Sequence, residues 1–382
     1  MPFDIISVEK IRIFAKVIVM ATDKRKNKWV AIILIVCTVL LALYVMMELD
    51  HEQVVTAFAS MKPVWILALI GCMLLYYVFD ALKYMFVTQS FGCPQPFLDS
   101  LTTTMLGFFY SAVTPLASGG QPFQIYHMHK KGISAGTSTS VICMVYMYWK
   151  IALVSLGILG FAIYSRVLLD SGAAWVPFLM LGLFLQILAL GAVALSALKP
   201  QWLIAIGTIV LKGIFGVELF TSRGLEPSHA INKLKRFVEE YHTAYVEGSK
   251  NKKLIVYSLA CAFVECIAYM SVAYCSYRGF GMSGQPYYRV MFLQVLLYLG
   301  ASLVPTPGAA GASEGGYMMI YRGLFGRHLT MSMLVWRLAT YYMTLLVGYL
   351  FVVADRMDPR RKRRRKERHR ASEEPHSDPV AE

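Results

Sequence analysis

Charge is scarce through the body of this sequence. Only 16% of its 382 residues are Asp, Glu, Lys or Arg, while 57% are hydrophobic. A soluble domain carries about a quarter charged residues, so a soluble globular fold is excluded. A long polar stretch able to hold a separate catalytic core is also missing. No Walker A loop and no HExxH helix occurs, which argues against a nucleotide-driven pump and a zinc peptidase. The seven cysteines (Cys37, Cys72, Cys93, Cys143, Cys261, Cys266 and Cys275) form no CxxC pair and are odd in number. They read as buried free thiols, not as a disulfide framework or a metal site. No cofactor and no metal is expected. The first apolar run is not followed by a small-residue cleavage site, so no cleaved leader is expected.

Long apolar runs are what the sequence does have. Several exceed the roughly 18 residues needed to cross a bilayer, which defines an all-α polytopic membrane protein. Spans are expected at about Trp29–Met47, Pro63–Val87, Ser138–Tyr164, Trp175–Leu198, Leu254–Tyr277 and Met331–Ala354. Residues 1–28 are basic, as is the segment 199–252. Within that segment Gln201–Phe220 is apolar enough to lie on the membrane, and Pro227–Glu247 is amphipathic with Ser228 as its expected N-cap. By the positive-inside rule both segments are cytoplasmic. The run Arg360-Arg361-Lys362-Arg363-Arg364-Arg365-Lys366 supplies much of the net charge of +14. Beside a span it is expected to anchor to anionic lipid, and no nucleic-acid partner is expected. Residues 356–382 thus form a basic tail, with 371–382 acidic and disordered in expectation.

Two Gly/Pro-rich breaks interrupt the apolar pattern. They are Thr114-Pro115-Leu116-Ala117-Ser118-Gly119-Gly120-Gln121-Pro122 and Pro305-Thr306-Pro307-Gly308-Ala309-Ala310-Gly311-Ala312-Ser313-Glu314-Gly315-Gly316. Gly and Pro end helices, and lipid tolerates irregular backbone only where protein or a water-filled cavity covers it. Each break is therefore expected to be the tip of a re-entrant hairpin. The breaks also sit in a repeat. Gln95-Pro96-Phe97 precedes Pro115 as Gln285-Pro286-Tyr287 precedes Pro305, at the same spacing (115 − 96 = 19 and 305 − 286 = 19). Phe91-Gly92 matches Phe280-Gly281, and Trp149-Lys150 matches Trp336-Arg337. Chance similarity among membrane turns is the alternative. About six full spans plus two oppositely oriented hairpins form an inverted repeat, as in transporters that bind at the midplane. Both termini are then cytoplasmic.

In that arrangement two helix N-termini face each other, at Gly119-Gly120-Gln121-Pro122 and at Ser313-Glu314, with Ser313 as a cap. Bare N–H groups there suit a phosphate or carboxylate; the alternative is that small residues merely permit close packing. Intramembrane charges default to functional residues. Lys150 and Arg337 are expected to flank an anionic head group, with Glu265 and Glu314 pairing to them or carrying a proton. The competing expectation is two structural ion pairs, Lys150–Glu265 and Arg337–Glu314. Asp80 and Lys83 are assigned to an interfacial pair at the cytoplasmic end of their span. His127 and His129 are also placed at the interface, and Tyr76, Tyr77, Tyr146 and Tyr148 in packing.

Ser118-Gly119-Gly120-Gln121-Pro122-Phe123-Gln124-Ile125-Tyr126, followed by Lys130-Lys131-Gly132-Ile133-Ser134, resembles a signature of the lysylphosphatidylglycerol synthase transmembrane region. This is the flippase-like module of multiple peptide resistance factor proteins. Pro305-Thr306-Pro307-Gly308 with Gly311 and Glu314 resembles its second signature, and the likeness covers roughly residues 29–355. Many members hold Glu and Arg where this chain has Gln121 and Gln124, so a charged pair there is not implied. The resemblance implies translocation of phosphate-bearing lipids: lysylphosphatidylglycerol, other phospholipids or a polyprenyl-phosphate carrier, in the cell (plasma) membrane. Best-known members add a soluble domain that transfers lysine from lysyl-tRNA, and no such domain is expected after the arginine tail here. A phosphatidylglycerol lysyltransferase acting through a partner domain is the alternative, and a non-transporting scaffold is a third. The substrate-binding set is Ser118, Gly119, Gly120, Gln121, Gln124, Lys150, Glu265, Ser313, Glu314 and Arg337, and a homo-oligomer is compatible with the sequence.

Overall fold

The computed structural model describes residues 51–114, 117–170, 176–215, 227–302, 304 and 306–357. The basic segment 1–28, the expected span Trp29–Met47 and the tail beyond Met357 lie outside the described residues. Among the described residues every regular element is helical. A short α1 (His51–Ala59) leads into α2 (Pro63–Ser90) and a hairpin of α3 (Phe97–Val113) and α4 (Gly120–Lys130). Next come α5 (Ala135–Asp170), α6 (Val176–Leu198), α7 (Pro200–Phe215) and α8 (Pro227–Gly248). A second unit repeats the first as α9 (Lys252–Gly279), α10 (Tyr287–Ala301) and α11 (Ala312–Phe325). The last span is α12 (Leu329–Arg337), a π-helical turn at Leu338–Tyr342 and α13 (Met343–Met357).

Five stretches are long and apolar enough to cross a membrane: Pro63–Ser90, Ala135–Ile163, Leu179–Ser196, Lys252–Gly279 and Pro307–Asp355. Their outward residues are apolar, as at Leu67, Leu74, Phe184, Leu188 and Leu350, where a water-soluble helix would carry charge. The protein is thus an all-α, multi-pass membrane protein. The arms of the two hairpins are shorter. At 1.5 Å per residue α3, α4, α10 and α11 span about 26, 17, 23 and 21 Å, against a hydrocarbon core of about 30 Å.

The repeat appears as matched corners. Phe91-Gly92 ends α2 with Gly92 at φ +68°, and Cys93 N–H reaches back to Thr88 O (3.0 Å). Phe280-Gly281 ends α9 with Gly281 at φ +80°, and Met282 N–H reaches back to Tyr277 O (3.3 Å). Both are left-handed glycine caps, a conformation that a β-carbon opposes. Pro96 and Pro286 then start α3 and α10 from an extended backbone. Lys62 N–H donates to Gly279 O (3.0 Å), so the start of α2 meets the end of α9 and the two helices run antiparallel. Their packing is the most extensive between any two elements, and the two hairpins therefore spring from opposite ends of the pair.

α8 is amphipathic: Val238 and Tyr241 are buried, while Lys233, Lys235 and Arg236 are exposed. Ser140 Oγ on α5 donates to Tyr241 O (2.7 Å) and fixes it. The helix opens at Pro227, a residue suited to the first turn, so Ser228 lies inside that turn and is not the expected N-cap.

Candidate functional site

The hairpin tips meet. α3 packs on the short 3₁₀ turn Pro307–Ala309 of the second tip. Tyr341, displaced by the π-helical turn, closes the junction: its hydroxyl donates to Ala112 O (3.1 Å), and its ring fills the space where a Cβ on Gly308 would stand. Gly308 has φ +61°, so this position needs glycine on two counts. Pro115, Leu116, Leu303 and Pro305 are outside the described residues.

A cavity of about 730 Å³ opens around the junction. Of the ten residues selected from sequence, Ser118, Gln121, Gln124, Lys150, Glu265, Ser313 and Arg337 line it. Gly119, Gly120 and Glu314 stand behind its wall. The glycines of the first tip do not leave all their N–H groups bare, because Gly119 N–H donates to Thr114 Oγ1 (2.8 Å). A Cβ on Gly120 would fall 2.6 Å from Gly107 O, so this glycine lets α4 approach α3. Gln124 serves the same contact, donating from Nε2 to Thr103 O (3.2 Å).

At the second tip Ser313 is not the cap. Gly311, at φ +84°, occupies that position, and Ser313 Oγ donates to Ala309 O (3.0 Å). Glu314 accepts the Gly311 N–H (2.7 Å) with one oxygen and Arg337 Nε (2.5 Å) with the other. Arg337 Nη1 also donates to Gly308 O (3.2 Å), tying the last span to the tip. The expected Arg337–Glu314 pair is therefore present. Gly311-Ala312-Ser313-Glu314-Gly315 spells the G-x-S-x-G pattern of a nucleophile elbow. That elbow requires a strand before the serine, and here a helical tip precedes it.

The other expected pair, Lys150–Glu265, does not form. Lys83 takes Glu265 instead. Lys83 Nζ lies 2.8 Å from Asp80 Oδ1 and 2.5 Å from Glu265 Oε2, with relative exposures of 1%, 4% and 2% for Lys83, Asp80 and Glu265. Thr104 Oγ1 on α3 donates to Asp80 Oδ2 (2.7 Å). The assignment of Asp80 and Lys83 to the cytoplasmic interface is thus overturned, since α9 packs over this face of α2 and buries both. Lys150, 7% exposed, has only neutral partners among the described residues: its ammonium donates to Gln186 Oε1 and lies 4.9 Å from the centre of the Tyr146 ring. Gln186 Nε2 in turn donates to Ser302 Oγ (2.8 Å) at the end of α10.

Aromatic rings enclose the space. Tyr76 stacks on Phe108 (4.8 Å) and contacts Trp149 and Tyr269, while Trp149 and Tyr269 both reach Tyr298. Tyr76 and Tyr146 line the cavity, whereas Tyr77 bonds to Thr344 and Tyr148 is packed in the core. His127 is buried, not interfacial, with Nδ1 3.3 Å from Asp355 Oδ1. Sequence inspection missed Gln186, Ser302 and Tyr341. They are ordinary polar residues in apolar runs, and only the π-helical turn marks Tyr341.

Helical hairpins that meet over a charged, aromatic-walled cavity define a polytopic membrane module with an internal polar site. Residues 29–348 match the family described as the lysylphosphatidylglycerol synthase TM region, and the chain belongs to that family. A search of curated proteins gave no significant match. The family associates the module with lysylphosphatidylglycerol and so with a lipid substrate.

Proposed function

We propose that the protein moves a phospholipid whose head group carries both a phosphate and an amine, of the lysylphosphatidylglycerol kind, between the leaflets of the plasma membrane. The observation that carries this is Lys150, a buried ammonium that faces the cavity and has no anionic partner among the described residues. An unpaired buried charge is costly, and a phosphate would compensate it. On another wall Asp80 and Glu265 share one lysine, leaving a negative charge suited to an amine. A polyprenyl-phosphate carrier would answer only the first of these. The cavity volume lies within the range of about 300–1,000 Å³ usual for small-ligand sites. The hairpins enter from opposite sides, both termini are cytoplasmic, the basic tail holds anionic lipid, and Tyr341 couples the tips during alternation.

The test is transfer of a fluorescent amine-bearing phospholipid in proteoliposomes, followed by quenching of the outer leaflet. Lys150→Gln should slow transfer about tenfold or more, the loss of a charge-assisted bond to phosphate. An unchanged rate in a variant that elutes as wild type would overturn the assignment.

A further inference from the structure

We infer that Asp80, Lys83 and Glu265 form a proton-exchange site: the carboxyl pair holds one proton while the cavity is empty and releases it when a head-group ammonium enters. This rests on the function proposed above and deepens it, because it makes lipid occupancy a proton-coupled event.

Charge counting is the first support. Two carboxylates and one ammonium leave a net charge of −1 at a point where all three side chains are almost wholly buried. An unbalanced charge in that setting is costly, and a proton or a second cation removes it. Glu265 is the better holder, because Asp80 accepts from both Lys83 and Thr104 while Glu265 accepts from Lys83.

Among the described residues the surroundings offer no other cation. Tyr76 and Tyr84 face the cluster from α2, and Cys261 and Cys266 from α9. Lys83 lies 5.7 Å from the Trp149 ring. These phenols and thiols are neutral near pH 7 in their ordinary state and cannot balance a carboxylate. Arg337 is engaged with Glu314, and Lys150 makes no ion pair with either acid.

Gln294 and Trp336, which also line this cavity, carry side-chain donors (Nε2 and Nε1) with no acceptor among the described residues. The step balances: a carboxylic acid and an incoming ammonium become a carboxylate–ammonium pair, and the displaced proton goes to water.

The experiment uses the full chain in detergent with a weak buffer and a pH-indicator dye. Lysylphosphatidylglycerol or phosphatidylglycerol is added near pH ~6, where the lipid amines stay charged. Binding is followed in the same cuvette by tryptophan fluorescence. The expected result is about one proton released per lysyl lipid bound, none with phosphatidylglycerol, and an apparent affinity for the lysyl lipid that rises about tenfold per pH unit while the site is protonated. Glu265→Gln, and independently Asp80→Asn, should bind the lysyl lipid more weakly, without proton release and with a flat pH dependence. Binding by the wild type without proton release would overturn the exchange and leave the lipid assignment standing. Absence of binding would overturn the lipid assignment and the exchange with it. The wild-type measurement decides even if a variant fails to fold.

Discussion

The two hairpin units share a chassis and differ at their tips. Each has a helix closed by Phe-Gly, a Gln-Pro entry and a short helix running to a break. The first tip is neutral: Thr114 takes the Gly119 N–H, and Gln124 bonds to backbone. The second is ionic: Glu314 bridges Gly311 to Arg337, while left-handed backbone occurs at both tips, at Ala117 in the first and at Gly308, Ala309 and Gly311 in the second. Entry corners thus keep the demands of chain geometry, while tips are free to divide the chemistry. The charged cluster is divided as well, with Asp80 and Lys83 from the first unit and Glu265 from the second.

Breaking that shared cluster should have the largest effect. Lys83→Met leaves two buried acids without their cation and should cost about 3–5 kcal/mol, read as a large drop in melting temperature in detergent. Lys150→Met, which removes a cation with neutral partners, should cost much less; equal losses would refute the contrast between the two lysines.

The tips come next. Gly308→Ala puts a Cβ 2.2 Å from the Tyr341 ring and forces a side chain into φ +61°, with an expected loss of about 2–3 kcal/mol. Gly119→Ala keeps an ordinary φ of −79° and chiefly displaces the Thr114 side chain, 2.6 Å away, so about 1 kcal/mol is expected. Adding Tyr341→Ala should recover part of the Gly308→Ala loss and none of the Gly119→Ala loss. A recovery in both would mean the tips are equivalent.

The smallest effect tests the shared chassis. Gly92→Ala and Gly281→Ala meet no neighbour within 4 Å and differ from wild type only in backbone strain. Each should cost about 1 kcal/mol, by the same amount within error in melting experiments. Unequal shifts would show that the corners do not play matching roles.

Much of this architecture is legible in the residues. Apolar run length locates the described spans, and paired Phe-Gly and Gln-Pro motifs locate the corners, because lipid and the left-handed cap impose local rules. The Arg337–Glu314 pair was also readable, since charges in a span seek a partner. The choice of partner for Lys150 and Glu265 was not. Both expected pairs satisfied charge, and the winner depended on which face of α2 lay against α9. Asp80 and Lys83 were visible three residues apart, yet looked interfacial because the cover supplied by α9 leaves no mark on α2 itself. Gly119 and Gly120 read equally well as an anion cradle or as a packing surface, and only the tertiary structure shows how closely α4 approaches α3 at Gly120.

By itself the sequence determined that this chain is a helical membrane protein with two broken, repeated hairpins, because hydrophobic length and Gly/Pro chemistry act within a few residues. Only the tertiary structure decided that three charges from two units fuse into one buried cluster while Lys150 stands apart among neutral groups. Electrostatic partnership depends on distances across helices, and those are set by packing between residues nearly 200 positions apart, as Lys83 and Glu265 are (265 − 83 = 182).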